Sequence, residues 1–148
     1  ITEKSLQDVL EVRRSLDALS VELACERISQ EELEQLEIAC KRVEEAIEGK
    51  DLKKIAQADV AFHDIIVKAT GNNRLVQMVN NLSEQMYRYR FEYIKDESKH
   101  QSLIGEHRSI FESLKNGDKA TASKTAKLHI DNQEASVMEQ IKRERSRR

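Results

Sequence analysis

Leu52-Lys53-Lys54-Ile55-Ala56-Gln57-Ala58-Asp59-Val60-Ala61-Phe62-His63-Asp64-Ile65-Ile66 places apolar side chains at 52, 55, 56, 62 and 66. Intervals of three and four are the period of one helix face, not the alternation of a strand. The same stripe passes through positions 59 and 63, which are Asp59 and His63. Four residues apart, these two project from one face, separated by roughly 6 Å of rise. Asp51 supplies an N-cap oxygen in front of this helix and Gly71 a stop behind it.

The pattern continues in both directions. Upstream, Ser29 and Glu32 form an S-x-x-E capping box opening a helix that stops at Gly49. Before that, Ser5 is the expected cap of a first helix reaching Arg27, with Val9, Val12, Leu16, Leu19 and Leu23 as its apolar stripe. Downstream, Asn72-Asn73 starts one long helix through Leu75, Val79, Leu82, Met86 and Tyr89 to Ile94, and the polar stretch Lys95 to Ser98 breaks it. A fifth helix runs to Asn116-Gly117, and Asp118 caps a sixth. Short connections between long helices make neighbours antiparallel. The expected fold is all-α, an antiparallel bundle of six to seven helices, with residues 1–148 as a single domain.

Composition agrees with that class and excludes others. The 148 residues are 39% apolar and 35% charged, with 4 glycines and no proline, too few turn formers for an all-β domain. The 25 Lys and Arg nearly cancel the 27 Asp and Glu, for a net charge of −2. That balance gives neither the electrostatic footprint of a nucleic-acid binder nor a polybasic membrane anchor. Apolar runs are too short to span a bilayer, and the amino end lacks the apolar stretch of a secretory signal. Cys25 and Cys40 are too few for a disulfide scaffold and read as small core residues. The expected location is cytoplasmic. The basic tail from Lys142 to Arg148 reads as a solvated helix end.

Polar residues on core stripes are the informative anomaly. Besides Asp59 and His63, His107 falls among Leu103, Ile104, Ile110, Phe111 and Leu114, and His129 shares a face with Ala122, Ala126, Gln133 and Val137. His100, near a polar helix start, reads as surface or pocket rim. Gly105, two residues before His107, either permits a close helix approach or is an exposed glycine. A buried ionised carboxylate without a partner costs several kcal/mol, about the size of a domain's whole stability. Two readings compensate it. In one, the four residues hydrogen-bond within the core; in the other, one carboxylate and three imidazoles hold a divalent cation, for which zinc, nickel, manganese and iron are all suited.

Four segments occur in a known order: V-L-E-V-R-R-S-L from Val9, A-D-V-A-F-H-D-I-I from Ala58, A-T-G-N from Ala69 and E-H-R-S-I-F-E-S-L from Glu106. Asn116-Gly117-Asp118 and Leu128-His129 complete the series. Together they resemble the FadR-type carboxyl-terminal (FCD) domain of GntR-family bacterial transcription regulators. The resemblance covers most of the chain, from about Ser5 to beyond His129. Its most specific part is D-x3-H, then a histidine 44 positions on and another 22 later, which fills all four ligand positions of the metal-binding branch: Asp59, His63, His107 and His129.

What the resemblance implies is a helical bundle with a divalent metal at its centre, zinc or nickel foremost, and a small carboxylate effector beside it. It further implies a homodimer, and DNA binding only through an amino-terminal winged helix-turn-helix, which this sequence lacks before Ser5. The effector classes implied are hydroxy acids, di- and tricarboxylates and sugar acids. Against a divalent cation, Asp59 leaves a charge of about +1, and an inward Arg13 raises it to about +2, which such anions neutralise. Arg13 matches the family's arginine and is either an effector clamp or a partner of Asp17 one turn on. Arg14 lies further round and faces solvent. Asn72 matches the family's asparagine and is equally explained as a helix cap. Tyr89 falls on a core stripe and either lines the effector pocket or packs. Two other readings stand beside the sensor. A metalloenzyme would use the same three-His one-Asp set, without an evident general base. A purely structural dimerisation module would treat the four polar residues as core hydrogen bonds.

Overall fold

The computed structural model describes residues 2–147, and among these the chain forms seven α-helices and one 3-10 turn, with no strand. Ile1 and Arg148, the ends of the expected domain, lie outside the described residues. The helices are α1 (Glu3–Arg27), α2 (Gln30–Glu48), α3 (Leu52–Ala69), α4 (Asn73–Asn81), α5 (Ser83–Ile94), α6 (His100–Asn116) and α7 (Lys119–Ser146), with the 3-10 turn at Glu97–Lys99. No helix is long and apolar enough to cross a membrane.

Side-chain caps set most of the boundaries. Ser29 and Glu32 form the reciprocal box at α2, Asp51 accepts from the Lys53 and Lys54 amides at α3, and Asp118 accepts from Thr121 at α7. At α1 the cap is Thr2 rather than Ser5. Thr2 is extended and accepts from the Ser5 amide, while Ser5 answers as the third residue of the same box. Gly117 ends α6 at φ 67, the left-handed conformation a glycine takes without a Cβ penalty. Gly105 is exposed, and no atom lies within 4 Å of where its Cβ would stand, so it serves no close approach.

Two expectations change. The long helix expected from Asn73 to Ile94 is broken at Leu82, whose amide bonds the Val79 carbonyl at 3.1 Å in a tighter turn. Asn80, Asn81 and Ser83 surround the break, and both residue types favour caps and turns over helix interiors. On α1 the inward face is also not the one the apolar periodicity marked. Val12 and Leu19 are exposed, at 46% and 41%, while Leu6, Leu10, Arg13, Leu16, Asp17, Ser20, Val21 and Ala24 are buried. Polar residues occupy the inward stripe because this face looks onto the site, so hydrophobicity alone misplaces it.

The core has two apolar clusters. One gathers Leu36, Phe62, Ile66, Ile110, Leu114 and Ala126; the other gathers Leu6, Leu10, Ile55, Tyr89, Leu103 and Val137. Helix α3 runs through both, with Asp59 between Ile55 and Phe62, so the polar cluster sits at the seam. The most extensive helix pairing is α1 on α7, followed by α2 on α3. Arg14 fastens the first of these by bonding Asp131 at 2.6 Å and Glu134 at 2.9 Å, a partner-bearing position rather than a purely solvated one.

Candidate metal centre

Helices α3, α6 and α7 bring Asp59, His63, His107 and His129 together, with one ligand-type atom from each lying within 4.8 Å of all the others. Asp59, His107 and His129 are essentially inaccessible, and the His63 side chain keeps 12% exposure. The imidazole centroids are 5.3 to 5.7 Å apart, and Phe62 stacks on His107 at 4.2 Å.

The contacts inside the cluster are close without being hydrogen bonds. Asp59 Oδ1 lies 2.8 Å from His107 Nε2 and 3.2 Å from His63 Nε2. Yet both Asp59 oxygens, His63 Nε2 and both His107 nitrogens lack a partner of hydrogen-bonding geometry. Buried polar atoms are almost always satisfied, and each one left unmade costs about 1–3 kcal/mol. Orphaned atoms on Asp59, His63 and His107, in a group whose ligand-type atoms lie within 4.8 Å of one another, fit a divalent cation: neutral imidazoles and a carboxylate are its ordinary ligands.

The surroundings set protonation states that suit this. Burial lowers the His107 pKa and drives that of His63 well below the usual histidine value, so both are neutral at neutral pH with a lone pair free. Burial would push the Asp59 carboxyl up. Attraction to His63 and the contacts with His107 outweigh that and hold it well below the usual range. His129 is fixed by its neighbours: Glu106 accepts from Nδ1 at 3.1 Å, and Asn132 in turn donates to Glu106 at 3.0 Å. Nε2 of His129 is therefore the acceptor, and it takes the Gln133 amide at 3.3 Å. Arg13, fully buried, donates to Gln133 Oε1 at 2.6 Å, so a hydrogen-bonded chain runs from α1 to the imidazole. A carboxylate behind a ligating histidine orients the ring and raises its basicity.

Four of these neighbours were not singled out from the sequence as site residues: Glu106, Gln133, Arg90 and Tyr93. Their signal was the stripe itself. Glu106 sits at 103, 106, 107, 110 and Arg90 at 86, 89, 90, 93, each a polar residue in core register. Arg90 Nε lies 3.5 Å from Asp59 Oδ2. The buried Tyr93 hydroxyl has no partner, and burial followed by Glu106 raises its pKa.

A cavity opens beside the cluster, bordered by His63, His129 and Arg90 and walled by Val21, Ile66, Val67, Val79, Met86 and Ile110. Asp17, Ser20 and Asp64 are its polar margin on the α1 and α3 sides. The residues expected to hold an effector are placed differently. Arg13 lies behind the wall, 3.4 Å from Asp17 and bonded to Gln133, and Arg90 is the guanidinium that borders the space. Asn72 is the N-cap of α4, its oxygen accepting from the Leu75 amide, and Tyr89 is packed in the second apolar cluster; neither borders the cavity. His100 is buried rather than at the rim, its Nε2 2.7 Å from the Ile94 carbonyl at the end of α5. Cys40 is buried, with its thiol pushed up to about 12, and both cysteines are free.

The neutral histidines carry a pH prediction. Their folded pKa values lie below the ordinary value of about 6.5, so the unfolded chain binds protons first as pH falls. Their contribution is complete above that value and is lost below it. Asp59 opposes the loss and Arg90 adds to it. In excess chelator, urea unfolding should show constant stability from pH 8 to 7, then a fall approaching about 1.4 kcal/mol per pH unit for each of His63 and His107. A flat profile down to pH 5.5 would mean that the imidazoles take up protons in the folded protein as readily as in the unfolded chain.

Comparison with known proteins gives the architecture a lineage. A family model described as the FCD domain matches residues 8–132. The Bacillus subtilis (strain 168) protein "Uncharacterized HTH-type transcriptional regulator YdhC" is 26% identical over 132 residues, which are 88% of this chain and 59% of that protein. The chain thus spans somewhat over half the length of this curated relative. Among solved structures, Streptococcus agalactiae GntR superposes with a TM-score of 0.79 at 23% identity, over 91% of this chain and 60% of that one. The metal-free FCD domain of TM0439 superposes with a TM-score of 0.79 at 19% identity, over 95% of this chain and 96% of that one. With the helical architecture already described and the family match extending over most of its length, the chain belongs to the FCD-domain family, and the curated relative it matches is named a transcriptional regulator.

Proposed function

We propose that this chain is the sensing domain of such a regulator. It holds a divalent cation through Asp59, His63, His107 and His129, and takes a small carboxylate metabolite into the adjoining cavity. The observation that carries the reading is the set of orphaned atoms on Asp59, His63 and His107 at one buried point. A hydrogen-bonded core, the requirement of a purely structural module, would leave those atoms paired. A bound cation of the zinc or nickel type supplies concentrated positive charge for a carboxylate to meet. Glu106 orients His129, Phe62 packs the His107 ring, and Arg90 offers a guanidinium on the cavity side. The His129 Nε2 lone pair that accepts the Gln133 amide is the one a cation would take, so metal binding would release Gln133 and, with it, the contact to Arg13 of α1. That release is therefore felt at α1, the element that would lie nearest an amino-terminal operator-binding domain. Operator binding through that separate domain, and action as a homodimer, belong to the same proposal.

Calorimetry tests the reading with a panel of hydroxy acids, di- and tricarboxylates and sugar acids, titrated into metal-loaded protein and into chelated protein. Binding of at least one acid at micromolar to millimolar strength is expected only with metal present. Binding that ignores the metal, or no binding of any acid, would leave the cluster as a structural site.

A further inference from the structure

Resting on that reading, we infer that the cavity selects a monocarboxylate with an apolar tail over di- and tricarboxylates. Two independent observations converge on this class. The first is buried charge. Arg13 and Arg90 are the buried guanidiniums, and Asp17, Asp59 and Glu106 the buried carboxylates, at 0% to 9% exposure. Two guanidiniums against three carboxylates leave one negative charge, and a divalent cation turns the sum into about one positive charge. One ligand carboxylate neutralises the site; a second would leave an excess anion out of water.

The second is the wall opposite the cluster. Away from His63, His129 and Arg90, the cavity meets Val21, Val67, Val79, Met86 and Ile110, with Ser20, Asn80 and Ser83 as uncharged polar neighbours and no cation beyond Arg90. The charged groups at its margin are Asp17 and Asp64, both carboxylates, and the lysine that pairs with Asp64 is Lys68, 2.8 Å away and 66% exposed. A second carboxylate placed there faces like charge without a cation to meet it. A hydrocarbon tail loses nothing and gains burial, tightening binding by about fourfold per methylene enclosed.

The test uses zinc-loaded protein with metal content measured beforehand, and calorimetric titration of lactate, 2-hydroxybutyrate, 2-hydroxyisovalerate and 2-hydroxyhexanoate against malate and citrate. Affinity is expected to rise about fourfold for each early methylene, with malate and citrate at least tenfold weaker than 2-hydroxyisovalerate. Val79→Asn, at a half-exposed wall position that folding tolerates, should weaken 2-hydroxyisovalerate by more than lactate. Affinity independent of tail length, or tighter binding of malate or citrate, overturns the inference and leaves the sensor reading standing. Absence of binding by every acid overturns both.

Discussion

Asp59→Ala is expected to destabilise the metal-free protein by about 3–5 kcal/mol, the usual cost of removing one member of a buried charge cluster. The carboxylate is wholly buried and lies 3.5 Å from Arg90 Nε. Arg13 is nearby too: burial first, and then repulsion from Arg90, bring its pKa down to about 10, while Asp17 and Asp59 pull it the other way. Removing Asp59 leaves two guanidiniums in the interior with their repulsion less compensated. Urea unfolding in excess chelator isolates this effect from metal loss. Asp64→Ala is the control, because Asp64 is 46% exposed and paired with an exposed lysine, and its removal should cost no more than about 0.5 kcal/mol. Similar losses in the two variants would show that Asp59 does not hold the guanidiniums.

The second large effect is on thermal stability. A ligand that binds only the folded state, at a thousand times its dissociation constant, adds about 4 kcal/mol. For a domain of this size that raises the melting temperature by roughly 2–4 °C per kcal/mol. Zinc or nickel added to the chelated and then desalted protein should therefore move the transition by about 10 °C. His107→Ala deletes a candidate ligand whose two ring nitrogens have no hydrogen-bond partner, so on the proposed reading it should retain no metal and show no shift. Calorimetric scanning with elemental analysis reads both outcomes; a full shift in His107→Ala would make that residue a bystander.

How far the sequence discloses this molecule follows from what each pattern measures. Caps at Ser29, Asp51 and Asp118 are local, and they place α2, α3 and α7 closely. The break at Leu82 is local as well, but Leu75, Val79, Leu82 and Met86 keep an unbroken helical period across it, and the Asn80-Asn81-Ser83 signal is weak by comparison. The four candidate ligands are legible because polar residues interrupt otherwise apolar stripes on α3, α6 and α7. On α1 the same reasoning fails, since Arg13, Asp17 and Ser20 take so much of the buried face that Val12 and Leu19 mark the wrong side. Which arginine borders the cavity is a tertiary fact: Arg13 and Arg90 sit on different helices, and no spacing ranks them. Asn72 and Tyr89 show the converse, positions suited to a site whose helices turn them to capping and packing.

The pairing of α1 with α7 bears on how the protein comes into being. Arg13 and Gln133, joined at 2.6 Å, are 120 residues apart. During synthesis Asp59, His63 and His107 leave the ribosome well before His129, so a nascent chain possesses only three of the four ligand-type side chains. The last helix must then close against the first, a non-local step that is slow relative to the local pairing of α2 with α3. Completion of the polar cluster is thus tied to completion of the bundle, and an incompletely translated chain cannot assemble the four-residue centre.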